Sequence, residues 1–206
     1  MKIELKNVDY IYNEGLSNEV YALKDVNLTI NSHEVIGLIG QTGSGKSSLV
    51  QLLNGLLIPS KGDCIIADIN SKDRKRRKEA RFKVGLVFQY PENQLFEETI
   101  EKDIAFGPKN MGLSDEEVNK KVRAAFAKVG LDYETYKDLS PFELSGGQQR
   151  RVAVAGILSM EPKVLVLDEL TAGLDPSGRD EIFSEIMKLY DNDPELSIEP
   201  VSYTHL

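Results

Sequence analysis

Eight residues, Gly40, Gln41, Thr42, Gly43, Ser44, Gly45, Lys46 and Ser47, carry the spacing G-x-x-x-x-G-K-[ST], with Ser48 directly after them. That pattern suits the grip of a polyphosphate. Glycines let a backbone adopt positive φ and close around phosphates. Successive N–H groups then converge as an anion nest at the positive end of a helix dipole. Lys46 would reach the β- and γ-phosphates, and the Ser47 hydroxyl would bind Mg²⁺. The segment lies between an apolar run, "EVIGLIG", and a helical pattern, "KSSLVQLLNGLL". That strand–loop–helix context is what the motif requires. A nucleotide with Mg²⁺ is the expected ligand.

A second apolar run, "KVLVLDE", ends in two carboxylates, Asp168 and Glu169. Ligands of a parallel sheet sit at the C-terminal ends of its strands. Asp168 is placed to hold Mg²⁺, directly or through water. Glu169 is placed to polarise a water against the γ-phosphate. The second acid points to hydrolysis as well as binding.

The stretch "LSGGQQRR" offers a third site. Ser145 can cap a helix, with Gln148 as the capping-box partner. Gly146 and Gly147 leave the first helical N–H groups bare, which makes a second anion-binding helix end. The two phosphate-binding ends belong to different parts of the chain. Two subunits placed head to tail would therefore sandwich nucleotide between the loop of one and the Ser145–Gln148 end of the other.

The elements that must hold these residues read as an α/β core interrupted by a helical insert. "KIELKNVDYIY" and "ALKDVNLTI" alternate with period two and predict strands. "EVIGLIG" reads as a strand buried on both faces. "GDCIIADI" and "KVGLVFQ" are further strands. From about Pro91 to Ala155 strand signals vanish. "SDEEVNKKVRAAFAKVG" predicts a helix capped by Ser114 and Glu117 and ended by Gly130. "GGQQRRVAVAGILSM" predicts another, and Asp175-Pro176 opens a last one.

With 206 residues the chain is long enough for one domain with a real core. Its net charge of −8 argues against non-specific nucleic-acid binding. The basic run "SKDRKRRKEARFK" could serve as a nucleic-acid or anionic-lipid patch, but its one aromatic, Phe82, lies at its end, and it reads as a solvated connector. One cysteine, Cys64, cannot form an internal disulfide, and it reads as a small core residue in a reducing compartment. No apolar run approaches the ~20 residues of a membrane helix, and the N-terminus has no secretory pattern.

The phosphate loop, the acidic strand end and "LSGGQQRR" together resemble the ATP-binding-cassette ATPases, over essentially the whole chain. The resemblance implies a P-loop NTPase core with a mixed sheet, an N-terminal antiparallel β-subdomain and an inserted helical subdomain. It divides the single domain into a core at about 1–90 and 156–198 and a helical part at about 91–155. It implies ATP as the nucleotide. Tyr12 matches the aromatic that stacks on adenine, with Tyr10 as the alternative. Gln89 matches the glutamine that touches Mg²⁺ and the attacking water. Asp175, in "AGLDP", matches a loop that crosses the dimer interface. Proline usually follows the catalytic Glu in the family; here Leu170 does, which restores an N–H and frees φ.

"FQYPENQLFEETIEKDIAFGPKN" and "SPFELSGGQ" resemble the ATPase subunits of energy-coupling-factor importers of vitamins and metals, the second of the two ATPases most of all. That resemblance implies a peripheral ATPase on the cytoplasmic face of the membrane. Its partners would be a sister ATPase (a heterodimer, with a homodimer the other option), a transmembrane coupling protein and a substrate-binding membrane subunit. Residues 90–106 would line the docking groove. The competing reading is a soluble cassette ATPase of DNA repair or translation. Those carry coiled-coil or zinc insertions or a second cassette, which this sequence lacks.

The family places a histidine after the strand that follows the Asp175 helix. "ELSI" starts that strand, and Glu199-Pro200 is expected to break it. In register, Tyr203 takes the histidine's place, and His205 falls two residues late, about 6–7 Å along a strand. Residues 199–206 therefore read as foreign to the domain, and His205 is left out of the site.

Overall fold

The computed structural model describes residues 1–168, 184, 187, 188, 190, 191 and 196–202, the last four of these by backbone alone. Glu169, Leu170, Asp175, Tyr203 and His205 lie outside the described residues, as does most of the helix expected after Pro176. The chain forms two compact units. Among described residues the first holds 1–86, 163–168 and 196–202, and the second holds 87–162, 184, 187, 188, 190 and 191.

In the first unit, β1 (Ile3–Tyr12) lies between β2 (Val20–Ile30) and β4 (Lys61–Ile66), antiparallel to both. The short β5 (Ile69–Asn70) completes the order β2-β1-β4-β5. Ile3 and Leu5 of β1 alternate into the core, and Ile3 pairs with Ile30 of β2; a register shift after Leu5 makes Val8 the next buried residue. "GDCIIADI" is therefore two strands, not one. They are joined at Ala67, which takes φ 57, a left-handed turn. Cys64 is fully buried, its Sγ 3.3 Å from Leu52 O, and burial pushes the thiol up to about 12.

The second sheet has the order β3 (Leu38–Ile39), β8 (Ser197–Ser202), β7 (Val164–Asp168), β6 (Val84–Val87), with β8 parallel to both β3 and β7. The four residues of β6 and the first four of β7 are buried throughout, the continuous apolar reading of a strand covered on both sides. Helix α1 (Lys46–Leu53) follows the phosphate loop and touches β2, β4 and β7. The basic run forms a connector ending in α2 (Arg77–Lys83), with Arg76 paired to Asp68 and Glu79 and Lys72 to Asp63.

Two expectations about this sheet are corrected. β8 does not break at Glu199-Pro200. It stays in register with β7 from Val164↔Ser197 to Asp168↔Val201. In a parallel strand, alternate residues bond to opposite neighbours. Ile198 bonds toward the β3 side, accepting from Ile36 N and donating to Glu34 O, whereas Ser197 N donates to Lys163 O, the residue before β7. Pro200 lies on the same side as Ile198, so its missing N–H is lost from the β3 ladder and not from the β7 one.

The same proline accounts for β3. The segment reads as a doubly buried strand, yet it is a bridge at Val35↔Ile198 and then only Leu38–Ile39, with the gap facing 199–200. Val35 is 48% and Ile39 69% exposed. β3 closes one edge of the described sheet order and is covered on one face.

The second unit is helical. It contains α3 (Ile100–Asn110), α4 (Asp115–Lys128), α5 (Tyr133–Tyr136), α6 (Gly146–Leu158) and 3₁₀ turns at Pro91–Gln94 and Pro141–Glu143. Its core is one cluster that includes Ile100, Ile104, Val122, Phe126, Val152 and Ala155. α4 begins and ends where the sequence placed it. Ser114 and Glu117 form a reciprocal capping box, and Gly130 takes φ 67 just past the end. All of α6 belongs to this unit.

Candidate functional site

The phosphate loop takes its shape from glycines in the left-handed region, Gly43 at φ 81 and Gly45 at φ 92. Ser44 N donates to Gln41 O at 3.1 Å, which closes a turn inside the loop. Gly45 has a further reason to lack a side chain. A Cβ there would lie 2.4 Å from Ala22 O, so β2 presses directly on the loop. The first bond of α1 runs from Leu49 N to Gly45 O. Amides ahead of it have no acceptor within the helix, the general property that makes such an end receptive to anions.

Lys46 is 6% exposed, and its Nζ donates to Gly40 O at 2.5 Å and Gln41 O at 2.8 Å. The ammonium therefore lies across the loop it belongs to. Gln41, Thr42, Gly43, Ser44 and Ser47 are exposed, and Ser48 is buried.

Beside the loop is a pocket of about 280 Å³ lined by Tyr12, Val20, Tyr21, Ala22, Gly43, Gly45, Lys46, Ser47 and Ser48. It has an aromatic and aliphatic end from β1 and β2 and a polar end from the loop. Tyr12 is 40% exposed at that apolar end. Its hydroxyl lies 3.1 Å from Ser48 Oγ, and its ring meets Tyr10 edge-on with centroids 4.9 Å apart. Tyr10 supports the Tyr12 ring but does not line the pocket.

Val20, Tyr21 and Ala22 were not among the sequence candidates. A signal for them existed: Tyr12 pairs with Val20 and Ile11 with Tyr21, so any ligand of Tyr12 meets its cross-strand neighbours. Val20 and Tyr21 are also exposed apolar side chains, at 57% and 50%.

Asp168 ends β7, half-buried, in the same unit as the loop. Burial raises its carboxyl above the usual range, and the Lys46 charge opposes that shift. Ser47 and Asp168 are hard oxygen donors of the kind Mg²⁺ takes. That ion keeps several waters and uses one or two protein oxygens beside substrate phosphates. The residues present fit it, and no group of three acidic, His or Cys side chains forms a cation cage among the described residues.

Gln89 is exposed two residues beyond β6, in the second unit. The Ser145–Gln148 end belongs to the same unit. Ser145 Oγ accepts from Gln148 N at 3.4 Å, and Ser145 N donates back to Gln148 Oε1 at 3.1 Å, the reciprocal box the spacing predicted. Gln148 Nε2 also donates to Tyr136 Oη at 3.1 Å. A Cβ on Gly146 or Gly147 would meet nothing within 4 Å. Packing within the chain does not ask for glycine there; an approaching ligand would. Thus Tyr12, residues 40–48 and Asp168 share one unit, and Gln89 and 145–148 share the other.

A family model described as ABC transporter matches residues 23–172. An energy-coupling factor transporter ATP-binding protein, EcfA2, of Clostridium tetani is 61% identical over 191 residues, covering 92% of this chain and 66% of its own length. The EcfA2 of Streptococcus agalactiae is 53% identical over 209 residues, covering 100% of this chain and 73% of its own. The chain thus spans about two thirds of the length of such relatives. Among solved structures, cbiO1 of Clostridium perfringens, part of the ABC transporter complex cbiONQ, superposes with TM-score 0.84 at 38% identity. That match covers 98% of this chain and 78% of cbiO1. The cassette MJ0796, as a post-hydrolysis dimer bound to ADP and Pi, superposes with TM-score 0.81 at 30% identity, covering 97% and 87%.

Proposed function

The chain belongs to the ABC transporter family of ATP-binding proteins, and from that premise we propose that it is the ATP-hydrolysing subunit of an energy-coupling-factor importer. The observation that carries the reading is a phosphate loop beside an aromatic-ended pocket on one unit and, on the other, a capped helix end whose glycines have open space around them.

In this reading adenine stacks on Tyr12 between Val20 and Tyr21. The loop amides of residues 40–47 and Lys46 hold the phosphates, and Ser48 supports Tyr12. Ser47 and Asp168 would hold Mg²⁺, with Gln89 as a further oxygen donor; the bound ion neutralises charge that develops on the phosphates. Glu169 orients and deprotonates the attacking water, and Gln89 contacts that water. Ser145, Gly146, Gly147 and Gln148 bind the γ-phosphate of the nucleotide held by a second subunit. Asp175 lies at the junction of the two subunits.

The second subunit is a sister ATPase in this account. Its closure onto this chain drives a membrane coupling protein that serves substrate-binding membrane subunits for vitamins or metal ions. Exposed aromatics in 90–106 support a docking surface: Tyr90, Phe96 and Phe106 are 41%, 56% and 47% exposed, and the two phenylalanines meet edge-on at 4.9 Å. In this reading the chain sits on the cytoplasmic face of the membrane through these partners; no helix among the described residues is long and apolar enough to cross a membrane.

Affinity capture of the chain from membranes of its source cell tests the reading. Recovery of a sister ATPase and a polytopic membrane protein is the expected result. Recovery of ribosomes or nucleic acid instead favours the soluble cassette reading and overturns this one.

A further inference from the structure

One buried ion pair joins the neighbourhood of Gln89 to the Ser145–Gln148 end, both within the second unit. Glu92 lies in the 3₁₀ turn Pro91–Gln94, three residues after Gln89, and Arg150 lies in α6, one helical turn after Gly146. Arg150 Nε donates to Glu92 Oε2 at 3.2 Å, and Nη2 donates to Oε1 at 3.1 Å. This is the two-pronged geometry that a guanidinium supplies and an ammonium does not.

The two side chains are 6% and 19% exposed. Every other ion pair described in this unit has a partner more than half exposed. An ion pair removed from water returns little net stability against an apolar pair of similar size. What a forked pair does return is a fixed distance and angle between two stretches of backbone.

Those two stretches are otherwise built stiffly. Tyr90, between Gln89 and Pro91, is a non-glycine residue at φ 54, which sets a sharp turn. Pro91 is buried and has its φ locked by its ring. The backbone from Gln89 to Glu92 therefore has little freedom to absorb a displacement. On the other side, Arg150 sits in the turn directly below the box formed by Ser145 and Gln148.

We propose that Glu92 and Arg150 are positioning residues for ATP hydrolysis, a strut that makes the Ser145–Gln148 end move with the segment carrying Gln89. The proposal rests on the roles given to Gln89 and to 145–148 in the function above. Through the strut, a nucleotide that shifts Gln89 in this chain also re-aims the helix end that this chain presents to its partner's nucleotide.

The test compares the unaltered chain with Arg150→Lys, which keeps the charge and loses the fork, and Glu92→Gln, which keeps the shape and loses the charge. Hydrogen exchange is read first at the amides of Gln148 and Gln149, which donate to Ser145 Oγ and Ser145 O. Exchange about tenfold faster or more is expected in both variants, since local opening follows loss of the tie. Turnover with the sister subunit is read beside nucleotide affinity. A kcat lower by about tenfold or more with Kd within about twofold is expected, because sub-ångström misplacement costs rate and the pocket itself is untouched. Unchanged exchange overturns the strut whatever turnover does. Faster exchange with unchanged kcat overturns its part in the reaction. If the unaltered chain binds MgATP and never turns it over, the proposed function fails, and the exchange comparison still decides the strut. Should Arg150→Lys fail to fold, Glu92→Gln carries both readouts.

Discussion

Tyr12 and Ser48 share a hydrogen bond, hydroxyl to hydroxyl at 3.1 Å, which ties the last residue of β1 to the first turn of α1. Both residues line the pocket. The bond fixes a half-exposed ring that would otherwise rotate. Tyr12→Phe keeps the ring and loses the tie, worth about 0.5–1.5 kcal/mol, or roughly two- to tenfold in ATP Kd. Tyr12→Ala loses the stacking surface as well and should weaken binding by about tenfold or more. Titration with a fluorescent ATP analogue reads both. Equal affinities for the unaltered chain and Tyr12→Ala would remove the base from this end of the pocket.

Gly43 and Gly45 separate backbone strain from collision. Both have positive φ, but only at Gly45 does a Cβ meet backbone, 2.4 Å from Ala22 O. Gly43→Ala should cost about 1–2 kcal/mol of stability, the price of a left-handed alanine. Gly45→Ala should cost more, because β2 must move too, and should abolish nucleotide binding. Urea denaturation of the two variants ranks them; equal midpoints would contradict the ordering.

Gly147 tests whether the capped end faces a partner. Inside the chain an alanine there has open space, and alanine is the better helix former by about 0.5–1 kcal/mol. Gly147→Ala should therefore raise the thermal midpoint of the isolated chain and reduce ATP-dependent association with the sister subunit. A variant that is more stable and associates normally would contradict the assigned role.

Asp168 gives a pH signature. Its carboxyl is raised by burial, so the folded chain holds that proton more tightly than the unfolded chain. The folded state thus binds more protons just above the ordinary carboxylate range. This group's contribution to stability falls as pH rises through that window and is constant above it. Asp168→Asn should remove that dependence and raise the thermal midpoint at neutral pH in EDTA. It should also lose the extra stabilisation that Mg²⁺ adds to bound ATP. A midpoint unchanged or lowered in EDTA would contradict the burial argument.

The sequence carried these features unequally. Motifs whose physics is local were legible: the glycines of the loop, the Ser114–Glu117 and Ser145–Gln148 boxes, and the Gly130 stop each need only residues a few positions apart. Features set by neighbours far along the chain were not. Val20 and Tyr21 enter the pocket because of β1–β2 register. Glu92 and Arg150 are 58 residues apart and meet only when the 3₁₀ turn packs on α6. Pro200 looked like a strand breaker because sequence does not say which neighbour its N–H would have faced. In the fold it faces β3, and β7 keeps its ladder.

The account rests on two chains closing over nucleotide, with Glu169 as the residue that turns the water. Sedimentation of Glu169→Gln with the sister ATPase measures this most directly. With MgATP the two should run as one stable heterodimer holding ATP without turnover, and they should separate when the nucleotide is removed. Sedimentation that is the same with and without MgATP, or ATP hydrolysis at the unaltered rate, would contradict it.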